Sequence, residues 1–280
     1  MLAVGCVIVL TGLGWLYLAL LVVGMGGPGS ALGPGMGALD WLPRTIQILC
    51  SPAFGFALMP EGASGVAWGA SGFALVALMW GAMALAMMLP SAAPMILTYA
   101  EIADTAAQKG EMIVSPIVLA AGYTTVWFAF ATGAAVVQFV FTRTALIDAG
   151  MVSASGLFSG AIFIAGGLYQ FSALKDACLR QCQSPFPFFF THWATTPRGV
   201  FRLGVKQGLY CVGCCWAMML VMFAVGVMNV VWMAALGVVM TLEKIGASKR
   251  FTFAIGAALI AIGTGFVLTA FATHWPARAV

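Results

Sequence analysis

The chain predicts an all-α fold, a polytopic transmembrane helical bundle of about seven spans with the N-terminus inside. Three observations predict it. The 280 residues are 62% hydrophobic and only 7% charged, where soluble domains carry roughly 25% charged residues. Charges are missing from 1–39, 62–100, 112–142, 149–174, 207–242 and 251–277, and about 20 apolar residues suffice to cross a bilayer as a helix. None of these runs alternates in polarity as the strands of a transmembrane barrel do. The whole of 1–280 therefore reads as one transmembrane domain.

The elements follow in order. A first helix is expected over 2–23. No basic residue precedes it, so it reads as a span and not as a secretory signal. Residues 24–64 form an outer Gly/Pro-rich loop, with an interfacial helix near 41–49. A second helix covers 66–89, extending to 99 past Pro90 and Pro94; prolines inside an apolar helix free carbonyls that need new partners, and Ser91 is placed to serve one. A packing kink is expected there. The third and fourth helices cover 115–141 and 154–174. Residues 175–202 read as a thiol- and aromatic-rich loop. The fifth and sixth helices share 203–242, turning near 226–229, where Asn229 is a candidate cap. The seventh covers 252–273, with His274 as an interfacial anchor.

Orientation follows from the basic residues. An inside N-terminus puts Lys109, Lys175, Arg180, Arg198, Arg202, Lys206, Lys244, Lys249 and Arg250 in the cytoplasm and Arg44, Arg143 and Arg278 outside, a positive-inside pattern. The loop 175–202 is then cytoplasmic. The acids Glu101, Asp104, Glu111, Asp148 and Glu243 fall at span ends, which argues against proton-coupled transport. Lys175 and Asp176 read as an ion pair at the interface. Basic residues that flank spans have a topological role, so nucleic acid is not an expected partner.

Chemistry concentrates in the thiols. Of seven cysteines, Cys178 and Cys182 form a C-x3-C pair and Cys211, Cys214 and Cys215 a C-x2-C-C triplet. Side chains three or four apart share a helix face. The pair is expected just beyond the inner end of the fourth helix, and the triplet one to two turns into the fifth, at the same leaflet. Cytoplasmic thiols stay reduced. Reduced, clustered thiols suit a soft ion, Cu(I) or Zn(II). Met87 and Met88 could add thioethers, which favour Cu(I), and His192 an imidazole. Thiol exchange and plain packing are alternative uses of the cluster; isolated Cys6 and Cys50 read as packing residues. No Ser-His-Asp set, P-loop, H-E-x-x-H or C-x-x-C-H occurs in the sequence, so no catalytic role is assigned.

The strings 86–94 (AMMLPSAAP), 174–185 (LKDACLRQCQSP), 208–219 (GLYCVGCCWAMM) and 228–233 (MNVVWM), with Glu243-Lys244, resemble a bacterial family of predicted metal-binding integral membrane proteins, grouped as a domain of unknown function. The resemblance covers about 70–270. It implies metal binding and points to Cys178, Cys182, Cys211, Cys214, Cys215 and the Met-Met-Leu-Pro stretch. The expected function is soft-metal handling or delivery in the bacterial inner membrane, Cu(I) ahead of Zn(II). A scaffold role in a larger membrane complex and a membrane thiol oxidoreductase are the alternatives. Expected partners are the lipid bilayer, other membrane subunits or a metal chaperone.

Overall fold

The computed structural model describes residues 2–24, 34–35, 69–110, 113–147 and 153–274, which hold helices and no strand. The helix expected near 41–49, Cys50, and the side chains of Cys6 and His274 lie outside the described residues.

Helix α1 is Leu2–Gly24, α2 Ala70–Gln108, α3 Pro116–Arg143, α4 Gly156–Tyr169 and α5 Ala173–Gln183. Then come α6 Pro185–Thr191, α7 Pro197–Leu220, the short α8 Met222–Val225, α9 Val230–Ile245 and α10 Lys249–His274. Four segments are long and apolar enough to cross a membrane: α2, α3, Pro197–Val225 and α10. A fifth forms if α4 and α5, bent by 64° from each other, count as one span. The protein is a multi-pass membrane protein. The expected segments are helical where they are described, yet α9 falls short of a crossing by length: it has 16 residues, about 24 Å at 1.5 Å each.

The greatest departure from expectation is at 175–202. This segment is α5, α6 and the first turns of α7, not a loop. Its prolines and hydroxyls, which read as loop signals, begin helices. Ser172 Oγ accepts from Lys175 N at 3.1 Å, Pro185 opens α6, and Thr196 caps α7 ahead of Pro197. A proline in the first turn has no amide to waste.

Helix α2 runs unbroken through Pro90 and Pro94. Pro90 lacks the amide that would bond the Ala86 carbonyl, four residues back. The Trp15 indole of α1 donates to that carbonyl at 3.1 Å, and Ser91 Oγ donates to Met88 O at 2.8 Å. The carbonyl freed at Ala86 is thus satisfied from a neighbouring helix, while Ser91 adds a bond within the same turn of its own helix. At the other turn, Gly226 adopts φ 104°, a conformation side chains with a Cβ resist. Asn229 caps α9 as expected, accepting from Trp232 N at 3.1 Å. Its amide also donates to Pro34 O at 3.0 Å.

Glycines set the closest helix contacts. Helix α3 lies along α7, where a Cβ on Gly122 would collide with the Phe201 carbonyl and one on Gly204 with the Leu119 carbonyl. Small residues let membrane helices approach backbone to backbone in this way. Helices α4 and α10 pack as a second such pair, and α5 packs on α7.

Candidate metal centre

Three helices bring soft donors to one buried place, and a fourth adds a lysine. Helix α7 supplies Cys211, Cys214 and Cys215, whose spacing puts all three on its inward side; they are 2%, 2% and 1% exposed. Helix α5 supplies Cys182. Its sulfur is 4.0 Å from that of Cys214, and the Cys214 and Cys215 sulfurs are 3.2 Å apart. The Cys214 thiol also donates to the Cys211 carbonyl at 3.2 Å. Helix α2 adds Met88, and α9 adds Lys244. All five of these cysteines, Cys178 included, are free thiols.

Lys244 organises the centre. Its ammonium donates to Ser91 Oγ at 2.7 Å and to Cys211 Sγ at 3.0 Å, and it sits 3.5 Å from Met88 Sδ. Tyr123 of α3 completes the wall: its hydroxyl is 3.0 Å from Cys211 Sγ and donates to Met88 O at 3.2 Å. The hydroxyl of Ser91 donates to the same carbonyl, so the α2 backbone beside Pro90 is tied to the thiol group twice.

The neighbouring Glu243 does not balance Lys244. It pairs with Lys175 of α5 at 2.7 Å, both side chains being almost wholly buried. One expectation is corrected here. Lys175 pairs with Glu243 and not with Asp176; Asp176 instead meets Arg180 at 3.3 Å and Lys249 at 3.2 Å. Glu243 lies in the last turn of α9, at a helix end as expected, and is buried there. Gln183 Nε2 donates to its backbone carbonyl at 2.6 Å, fixing the end of α5 against α9. A cavity of about 230 Å³ opens beside Lys175, lined by Gln170, Asp176, Arg180, Gln183 and Lys249 among others. No thiol lines it, so it is separate from the centre.

The other expected ligands divide. Cys178 lies one turn before Cys182, and its sulfur packs on Gly213, where an added Cβ would come within 2.6 Å of it. Met87 packs on Gly237 of α9, two turns before Lys244, which meets Met88. His192 is exposed; its Nδ1 is 2.7 Å from Thr191 Oγ1 and its Nε2 2.9 Å from Lys206 Nζ. Neither Met87 nor His192 joins the thiols. The triplet is also further along its helix than expected, because α7 begins at Pro197 and not at 203. Cys211 is roughly four turns in.

No three His, Cys, Asp or Glu side chains among the described residues already stand in a metal-holding arrangement. The spacing shows what separates the thiols from one. Two thiolates on a tetrahedral ion with 2.3 Å bonds lie about 3.8 Å apart. The Cys182–Cys214 separation of 4.0 Å is close to that. The Cys214–Cys215 separation of 3.2 Å is too short, and rotation of one side chain about its Cα–Cβ bond lengthens it. The donor set, thiols with an adjacent thioether, fits a soft monovalent ion.

Tyr123, Lys244 and the Lys175–Glu243 pair are absent from any local pattern. Only the adjacency of Glu243-Lys244 near the end of an apolar run hinted at them, since charges at such places need partners.

A family model described as a copper chaperone, PpoB2, matches residues 77–266, which include every residue of the thiol centre. No curated protein and no solved structure matches the chain.

Proposed function

We propose that this chain, which belongs to the PpoB2 copper chaperone family, carries Cu(I) in the pocket of Cys182, Cys211, Cys214 and Cys215, two of these thiolates holding the ion at a time, and hands it on within the bacterial inner membrane. The observation that carries this reading is a buried group of four cysteines from two helices, linked by the Cys182–Cys214 and Cys214–Cys215 sulfur contacts and by the Cys214 thiol on the Cys211 carbonyl. Copper is the cargo. Thiolates and a thioether are the donors Cu(I) prefers, and a pocket walled by Met88, Tyr123 and Lys244 keeps water from the ion. Ligands on separate helices let one part of the set yield to an acceptor while the rest holds. Cys178 supports α5 against α7 in this reading and is not a ligand.

The test is metal content. The protein is purified in mild detergent under reducing conditions, loaded with Cu(I), and measured by mass spectrometry. About one or more copper per chain is expected for the unaltered protein. Replacing Cys182, Cys211, Cys214 and Cys215 together by Ala should abolish it, while Cys178→Ala should keep it. Unchanged stoichiometry in the fourfold variant would sink the proposal.

A further inference from the structure

We propose that Lys244 is a built-in counter-cation that makes the thiol centre selective for a monovalent ion held by two thiolates over a divalent ion held by the same two. The inference rests on the copper reading of this site and deepens it.

The argument is one of charge. Lys244 is 6% exposed, and its contacts are a hydroxyl at 2.7 Å, a thiol sulfur at 3.0 Å and a thioether at 3.5 Å. Among the described residues the ion pairs are Lys175–Glu243, Arg180–Asp176 and Lys249–Asp176. Lys244 is in none of them, and the one buried carboxylate next to it in sequence is taken by Lys175. An ammonium in an apolar interior demands a compensating anion, and the groups around this one that can supply it are sulfurs and the Tyr123 hydroxyl. Cu(I) with two thiolates is an anion of charge −1, which Lys244 neutralises. A divalent ion with two thiolates is neutral and leaves Lys244 uncompensated. It reaches balance only by engaging a third thiolate. On loading, two metal–sulfur bonds form, no electron moves, and any thiol protons leave to solvent.

Mass action then predicts the outcome of removing the charge. Lys244→Gln keeps a hydrogen-bond donor but no charge, and Lys244→Arg keeps the charge. Affinities for Cu(I) and Zn(II) are read by competition against chromophoric chelators, using the full chain in detergent under reducing conditions. The Cu(I)-to-Zn(II) affinity ratio should fall roughly tenfold or more in Lys244→Gln and stay near the unaltered value in Lys244→Arg. X-ray absorption of the Cu(I)-loaded unaltered protein should count two sulfurs. Circular dichroism and thermal melting check folding, and Lys244→Met repeats the neutral case if Lys244→Gln misfolds.

A merely structural role for Lys244 lowers both affinities together and leaves the ratio alone; that result overturns the proposal, as does an unchanged ratio or a count of three or four sulfurs on Cu(I). Failure of the unaltered protein to bind Cu(I) at all is a different result, and it removes the copper reading itself.

Discussion

At the scale of single residues, the centre separates side chains that the spacing of the sequence groups together. Cys178 and Cys182 share a face of α5, as four-residue spacing requires, yet one turn of helix displaces a side chain by about 5.4 Å along the axis. That is enough to place one sulfur among the α7 thiols and the other on Gly213. Met87 and Met88 differ by one position, or about 100° of helix rotation, and only Met88 faces the thiols. Tyr123→Phe should cost about 0.6 to 1.7 kcal/mol, the range of interhelical hydrogen bonds in membranes, as a lowered melting temperature in detergent. The helix should remain, because Ser91 still serves the Met88 carbonyl. The cysteines were legible because clustered thiols are rare and their chemistry is narrow. Lys244 and Tyr123 were not, because their roles come from side chains 153 and 88 residues away in sequence and leave no trace in local spacing.

At the scale of helices, the buried Lys175–Glu243 pair joins α5 to α9 together with the Gln183 bond to the Glu243 carbonyl. Removing one partner leaves an unpaired charge in the interior, so Glu243→Gln should destabilise by about 3–5 kcal/mol. The double change Lys175→Met with Glu243→Leu should recover much of that loss, a comparison read from melting of the single and double variants. A large loss in the double variant equal to the sum of the singles would mean the pair is not coupled. The α3–α7 crossing is as demanding. Gly204→Ala drives a methyl group into the Leu119 carbonyl and should cost about 1–3 kcal/mol as overpacking does; equal melting temperatures would show that the crossing can relax. Helix existence was well legible from apolar runs. Helix boundaries were not, and the reason is visible at Pro185 and Pro197: the same residue that ends one helix pattern can open the next, and the sequence alone does not say which. The extension of α2 past two prolines was foreseen only as far as 99, since what sustains it includes an indole from a helix more than seventy residues earlier.

At the scale of the whole molecule, the contacts sort the connections to two ends. Pro34 meets Asn229, so Pro34 and the turn before α9 lie together. At the other end Tyr99 bonds the Val114 carbonyl at 3.0 Å and stacks on Trp193 at 5.6 Å, which joins the turn at Gly110 to the segment after α6. An alternating path through the bilayer requires this sorting. With the basic residues at the second end facing the cytoplasm, a reporter inserted at Gly110 should be cytoplasmic and one fused to the C-terminus should lie outside; both on one side would refute the path. The all-α membrane class was legible from hydropathy, while the number of full crossings was not, because it depends on the break at Gln170–Ser172 and on the length of α9. That break has a kinetic consequence. Cys182 rides on an eleven-residue helix that leaves α4 at 64° and is partly exposed, whereas the α7 thiols are sealed. In the proposed handover an incoming thiol would meet Cys182 first, and copper would pass by associative exchange, the newcomer bonding before the last α7 sulfur lets go. Alkylating reagent applied to the unloaded protein should mark Cys182 well ahead of Cys211, Cys214 and Cys215, and the same single mark should slow transfer more than it weakens retention.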